Sequence, residues 1–329
     1  MTGVESSRTI LHAAPEEREI EREKIESLAS NRIDPKFLYV TPRQASLWRQ
    51  VFLQHSPIHG NPEFARIYRD AFAKVLDIFT AEDVWLVGLG CGTGSKEKEL
   101  QAALNERGRT TVFSAVDVSA DLVSESMNKL LAAGAGYRRS LVCDLQSSFL
   151  KTWFDQPGGE IPRLITFFGL VPNLAPSAVA RIFQTALRPR DVLLVSAHLA
   201  PVRNESPEDL AVAMKEVLPQ YDNAETLTWI TAGLEEWDLA DRVHAPEITI
   251  GELEGMPAFL GQARWKSGEL FEKWGHRFSP AVDEPLRLFY SLRYTPALFE
   301  EFLRREGFDF EMLSITACRQ EGIWVVRRK

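Results

Sequence analysis

The sequence predicts an α/β protein built on a mostly parallel, doubly wound sheet, with an inserted α+β unit. Three observations carry that prediction. Apolar, strand-like runs at about 84–88, 111–117, 139–143, 163–169 and 192–198 alternate with helical patterns, as right-handed βαβ units do. The first run breaks into Gly88-Leu89-Gly90-Cys91-Gly92-Thr93-Gly94 and then into helix-forming Ser95-Lys96, which reads as strand, tight turn, helix. After His198 the alternation stops, and only the last 35 residues return to a helix and two strands.

The elements before the first strand carry their own start signals. Residues 1–30 are charge-rich, and Ile20, Ile25 and Leu28 form only a thin stripe, so they read as a lightly docked arm. Thr41-Pro42-Arg43-Gln44 places a capping Thr before Pro and a Gln three residues on, and Asn61-Pro62-Glu63 repeats the cap and proline, opening helices at about 42–54 and 62–79. In the insertion, Ser206-Pro207-Glu208-Asp209 caps one helix, a second spans about 224–238, and 246–294 read as strands. Thr295-Pro296 opens the last helix and Gly307 closes it. The organisation expected is an arm at 1–30, a helical part of the substrate region at 31–60, a cofactor core at 61–200, an inserted lid at 201–294, and a completing segment at 295–329.

Composition excludes several classes of function. A formal charge of -8 without a basic cluster argues against nucleic acid, because phosphate neutralisation needs a concentrated cationic face. Cys91, Cys143 and Cys318 lack C-x-x-C spacing and are expected as buried small hydrophobes in a reducing compartment. No H-x-x-x-H pair suggests a metal. No apolar signal core or membrane-length apolar run occurs, so the expected location is the cytoplasm and the expected partner a small molecule.

The glycine turn carries the chemistry. Its G-x-G-x-G-x-G spacing matches neither the G-x-G-x-x-G of dinucleotide sites nor a phosphate loop. Bare main chain there admits a ligand that a Cβ would block, and the spacing points to S-adenosylmethionine. The second strand ends in Asp117 and the third in Asp144. At the carboxyl edge of such a sheet an acid accepts hydrogen bonds from ribose hydroxyls, which makes Asp117 the ribose candidate. Asp144 is placed to reach an adenine amino group. A helix-capping role is the alternative for both.

With these residues placed, the chain resembles the EgtD-like family of histidine-specific Nα-methyltransferases and its dimethylallyltryptophan N-methyltransferase relatives. Pro35-Lys36-Phe37-Leu38-Tyr39, Gly90-Cys91-Gly92-Thr93-Gly94-Ser95-Lys96, and Phe167-Phe168-Gly169-Leu170-Val171-Pro172-Asn173 carry the resemblance. It implies a class I, Rossmann-like methyltransferase fold. It also implies that Gly88, Gly90, Gly92, Lys96, Asp117, Asp144 and Leu145 form the S-adenosylmethionine site, and that Tyr39, Asn173 and Tyr221, with Asp222, hold the amino-acid head group.

The departures bear on substrate. Where histidine-specific members carry a Glu two residues before a Ser, this chain has Phe289 before Ser291. A tyrosine that faces the imidazole in those members falls in the Pro57 to Pro62 stretch, where His59 stands and no tyrosine remains. The acid that usually opens the glycine turn is replaced by Gly88, which predicts weakened cofactor affinity. Phe289 and Ser291 are expected to line the far wall, with Tyr290 and Arg293 turned away. The reading is an N-methyltransferase acting on an amino acid or derivative other than histidine. Transfer to carbon, oxygen or sulfur, or cofactor binding without turnover, are the alternatives.

Overall fold

The structure, a computed structural model, describes residues 10–12, 17–57, 61–155, 161–202 and 206–329. The chain enters through β1 (Ile10–His12), α1 (Glu17–Ala29), α2 (Pro42–His55) and α3 (Pro62–Ile78). The alternating part follows as β2 (Asp83–Leu89), α4 (Ser95–Glu106), β3 (Thr110–Asp117), α5 (Ala120–Ala132), β4 (Gly136–Tyr137), β5 (Ser140–Val142), α6 (Ser148–Phe154), β6 (Arg163–Phe168), α7 (Pro176–Ala186) and β7 (Val192–His198). The insertion holds α8 (Pro207–Val217), α9 (Ala224–Glu236), β8 (Glu247–Leu253), β9 (Met256–Arg264), β10 (Phe271–Lys273), β11 (His276–Phe278) and β12 (Pro285–Leu292). The chain then closes with α10 (Pro296–Arg305), β13 (Phe308–Ile315) and β14 (Glu321–Arg328).

The main sheet runs β1-β5-β3-β2-β6-β7-β14-β13, with β4 beside β3. Its strands pair parallel as far as β7, and β14 and β13 are antiparallel additions. From β2 the chain leaves to β3 on one side and later crosses to β6 on the other. That reversal opens a crevice at the carboxyl ends of β2 and β6, where open α/β sheets bind ligands.

Strand periodicity explains the layers. Alternate side chains of β2 point to opposite faces: Val84 and Leu86 pack with Phe72, Leu100 and Val123 under α3, α4 and α5, while Trp85 and Val87 pack with Trp153, Phe183 and Phe299 under α6, α7 and α10. Both faces are therefore covered, and the strand reads as an unbroken apolar run. The caps expected at Thr41, Asn61, Ser206 and Thr295 all form, Thr41 with Gln44 as a reciprocal capping box.

A third core lies over the carboxyl edge of the sheet. It joins Leu28, Phe37 and Leu38 to Trp229, Trp237, Phe259 and Phe289, around an antiparallel sheet in the order β12-β9-β8. The N-terminal residues are thus more than an arm. The thin stripe of α1 cannot bury itself, and it is completed by side chains from the insertion; the Trp229 indole also donates to the Leu38 carbonyl at 2.9 Å. Ile10–His12 add a parallel edge strand beside β5, which the charge-rich composition concealed. Cys91 and Cys143 are buried as expected, whereas Cys318 is exposed, because it sits in the turn between β13 and β14. Among the described residues no helix is long and apolar enough to cross a membrane.

Candidate active site

The turn after β2 is the floor of the site. Gly90, Gly92 and Gly94 take φ of +60°, +49° and +68°, a region costly for residues with a Cβ. Space adds a second constraint: a Cβ on Gly90 would lie 1.9 Å from Leu170 Cδ1, and one on Gly92 3.1 Å from Trp48 Cη2. Gly94 then serves as the left-handed N-cap of α4. Over this floor opens a cavity of about 420 Å³, within the roughly 300–1,000 Å³ of small-molecule sites.

At the cofactor edge, Asp117 is 7% exposed, with Oδ2 accepting from the Gly92 N–H at 3.1 Å and Oδ1 from the Ser119 N–H at 3.0 Å. Burial pushes its pKa up, and those N–H groups oppose the shift. Asp117 does not cap α5; Ser119 does. Asp144 lines the same cavity, but Lys36 Nζ lies 2.7 Å from Oδ2 and the Gln146 N–H donates to Oδ1 at 2.8 Å. Its place at the adenine end is therefore shared with a lysine from the N-terminal segment, itself 3.0 Å from Glu23. Leu145 lines the cavity beside it. A bare glycine floor, the first-turn N–H groups of α4 and a buried acid at the end of β3 fit S-adenosylmethionine, which supplies an electrophilic methyl on a sulfonium sulfur.

Gly88 departs from its expected role. It lies inside β2, buried, and the space above it is filled: a Cβ there would be 3.0 Å from Cys91 Cβ and 3.5 Å from Glu97 Cγ. Gly90, Gly92 and Lys96 do line the cavity. Lys96 Nζ donates to the Tyr68 hydroxyl at 2.7 Å and sits 4.5 Å over that ring, so its amine is engaged by Tyr68. Burial lowers its pKa, against the pull of Glu321 and Glu97.

Beyond Lys96 is a buried polar chain. Tyr68 donates to Glu321 Oε1 at 2.5 Å, and His198 Nε2 lies 3.3 Å from Glu321 Oε2. Glu321 and Tyr68 are 1% and 2% exposed. Burial drives the His198 pKa down to about 4, with Glu321 opposing and Arg293 and Lys96 assisting. The imidazole is therefore neutral at pH 7 and only weakly basic.

Arg293 was expected to turn away, and it does the opposite. The two-residue period shared by Phe289 and Ser291 continues to Arg293, which lines the cavity at 2% exposure. Its guanidinium donates to the Tyr221 hydroxyl and lies 5.0 Å over that ring, while Nε has no hydrogen-bond partner among the described residues. Burial lowers its pKa. Ser291 is fully buried behind Tyr221, 3.2 Å from its hydroxyl, and reaches the cavity only through it.

The opposite wall is aromatic. Phe289 lies between Tyr221, stacked at 6.0 Å, and Trp229, edge-on at 5.7 Å. Tyr39 meets Trp229 at 5.2 Å and Trp48 at 6.0 Å, and burial together with the Asp117 charge raises its phenol pKa. Asn173 lines the cavity from the turn after β6; its amide has no partner among the described residues. Asp222 is exposed and lines nothing. His59 lies outside the described residues.

Sequence reasoning did not select Arg293, Glu321, Tyr68, Glu97 or Trp229. Continuing the two-residue period past Ser291 would have found Arg293. Tyr68 and Trp229 sit on apolar helix faces and look like core from sequence.

A family model described as histidine-specific methyltransferase, SAM-dependent, matches residues 23–318. No curated protein sequence matches. Among solved structures the chain is similar to SAM-bound CalS10, an amino pentose methyltransferase from Micromonospora echinaspora, at TM-score 0.38 and 13% identity over 80% of this chain and 92% of that one. It is similar also to a SAM-dependent methyltransferase from Bacteroides fragilis in complex with S-adenosyl-L-homocysteine, at TM-score 0.37 and 13% identity over 80% and 81%. The DszA carbon methyltransferase gives TM-score 0.44 and 13% identity over 96% and 71%. Scores this low carry nothing about substrate. The family match is of another order, spanning the helical N-terminal part, the glycine turn and the insertion together: the chain is an S-adenosylmethionine-dependent methyltransferase and belongs to the family of histidine-specific methyltransferases.

Proposed function

We propose that this enzyme methylates the amine of an amino acid or close derivative whose side chain is aromatic or otherwise apolar, and not histidine. The observation that carries this is Phe289, set in the cavity wall between Tyr221 and Trp229 where the histidine-specific pattern has a carboxylate. A phenyl ring gives imidazole no acceptor, and favours an aromatic ligand by about 0.5–1.5 kcal/mol beyond burial. A side chain held there directs the head group towards Arg293, Tyr221 and Asn173. A buried guanidinium with an unpaired Nε suits a carboxylate, since a desolvated charge is costly until it is paired.

The test is a comparison of kcat/KM for histidine with that for a panel of aromatic and aliphatic amino acids, with products identified by mass spectrometry. Preference for an aromatic acid is the expected result; efficient histidine turnover overturns the reading. The His198 and Glu321 pair favours one second reading, transfer to a hydroxyl or an acidic carbon, because such acceptors need a base. Product fragmentation distinguishes them.

A further inference from the structure

We propose that Glu97, from the first turn of α4, takes the ammonium of the cofactor's methionine end, replacing from the helix the acid that position 88 no longer supplies from the strand. The inference concerns the cofactor alone and is independent of the methyl acceptor.

Gly88 is not required by its backbone, since its φ is not among the positive ones. A Cβ at Gly88 would meet Cys91 Cβ at 3.0 Å and touch Glu97 Cγ at 3.5 Å, an ordinary contact, so the Glu97 side chain runs beside the place from which a side chain at residue 88 would project. Glu97 is 3% exposed and lines the cavity with Gly90 and Gly92. Its Oε1 accepts from Thr166 Oγ1 at 2.8 Å, across the crevice on β6. As the third residue of α4 it also faces its own main-chain N–H, where a helix favours negative charge. Two strands and a helix terminus therefore fix one carboxylate at the glycine floor.

The chemistry needs an acceptor for an ammonium beside that floor, and the other acids are committed. Asp117 holds the Gly92 and Ser119 N–H groups, Asp144 holds Lys36 and Gln146, and Glu321 holds Tyr68 and His198. Glu97 is a buried carboxylate with no cation within ion-pair distance among the described residues, because the adjacent Lys96 amine is turned to Tyr68. Burial raises its pKa, opposed by Thr166, the N–H and, more weakly, the charges of Lys96 and Lys129, neither of which is within ion-pair distance. A ligand ammonium provides the missing counter-ion. The weakened affinity expected from Gly88 is accordingly not expected of this chain.

The experiment is calorimetric titration of S-adenosylhomocysteine and of 5′-methylthioadenosine, which lacks the amino-acid tail, into wild type, Glu97→Gln and Glu97→Thr. Glu99→Gln, an exposed charge on the same helix, is the control. Both Glu97 variants should weaken S-adenosylhomocysteine about 10- to 100-fold, as for a lost charge-assisted hydrogen bond, while the tailless nucleoside changes by less than about threefold. Glu99→Gln should change neither. Unchanged S-adenosylhomocysteine affinity, or equal loss for both ligands, overturns the proposal. The exchange Gly88→Asp with Glu97→Thr returns a carboxylate from the strand and should recover about tenfold over Glu97→Thr alone; a folded exchange variant with no recovery counts against it.

Discussion

The two halves of the cavity are built in opposite ways. The cofactor half is assembled from the ends of neighbouring strands: one glycine turn, and acids at the tips of β3 and after β5 whose positions follow from the sheet. Its floor is main chain, over which Leu170 and Trp48 leave almost no room for a side chain at Gly90 and little at Gly92. The other half is assembled from distant segments, Tyr39 and Trp48 from the N-terminal part, Tyr221 and Trp229 from the insertion, Phe289 on β12 and Arg293 just after it, and His198 and Glu321 from neighbouring strands of the main sheet. Side chains line that half, so a single substitution can change its chemistry without changing the fold. One family can therefore keep a cofactor site while its substrate wall drifts.

Breaking the cofactor half should have the largest effect. Gly90→Val places a β-branched residue at φ +60° with its Cβ 1.9 Å from Leu170, a combined strain and overlap on the order of 3 kcal/mol or more. Cofactor binding should become undetectable by calorimetry. Retained affinity would mean that the turn relaxes and that bare main chain is not what the cofactor requires.

Breaking the polar end of the substrate half comes next. Arg293→Met removes the cation from the cavity, and kcat/KM for an amino-acid substrate should fall by about 2–4 kcal/mol, as for truncating one partner of a buried charged pair. Cofactor affinity should be unchanged, because Arg293 bonds only within the substrate half. Equal losses for an amino acid and its decarboxylated amine would remove the carboxylate role.

The comparison is sharpened by Phe289→Glu, which should move the ratio of kcat/KM towards histidine by about 1.5–3 kcal/mol, the worth of a charge-assisted hydrogen bond. Cofactor affinity should again be unmoved. No change in the ratio would mean that specificity lies elsewhere in the aromatic wall.

The smallest expected effect is on stability and concerns His198. Its folded pKa of about 4 lies below the ordinary 6.5, so between those values the unfolded chain binds a proton that the folded chain does not. Stability is full above pH 6.5 and is lost as pH falls towards 4. The imidazole is 29% exposed, which reduces the loss to on the order of 1 kcal/mol. His198→Gln should flatten this part of the profile in denaturant titrations; an unchanged slope assigns it to another group.

How much of this was legible follows from the same contrast. Strand and helix periods, the caps at Thr41, Asn61, Ser206 and Thr295, and the glycine turn with Asp117 and Asp144 are local signals, each complete within a few residues. The handedness of βαβ units fixes which face of the sheet each helix covers once the strand order is given, and that order was decided by the structure. Sequence alone therefore determined the fold class and the placing of the glycine turn and the two acids at one edge of the sheet, and it marked Phe289 as a departure from the pattern the chain resembles. Only the tertiary structure decided that Lys36 reaches Asp144, that Cys91 and Glu97 close over Gly88, that Ser291 hides behind Tyr221, and that Arg293, His198, Glu321 and Tyr68 meet at one end of the cavity. Those contacts join residues 36 and 144, 68 and 321, or 198 and 321, whose sequence separations leave no periodic trace. A tyrosine on the buried face of α3 has the same local pattern whether it packs against leucine or donates a hydrogen bond to a glutamate.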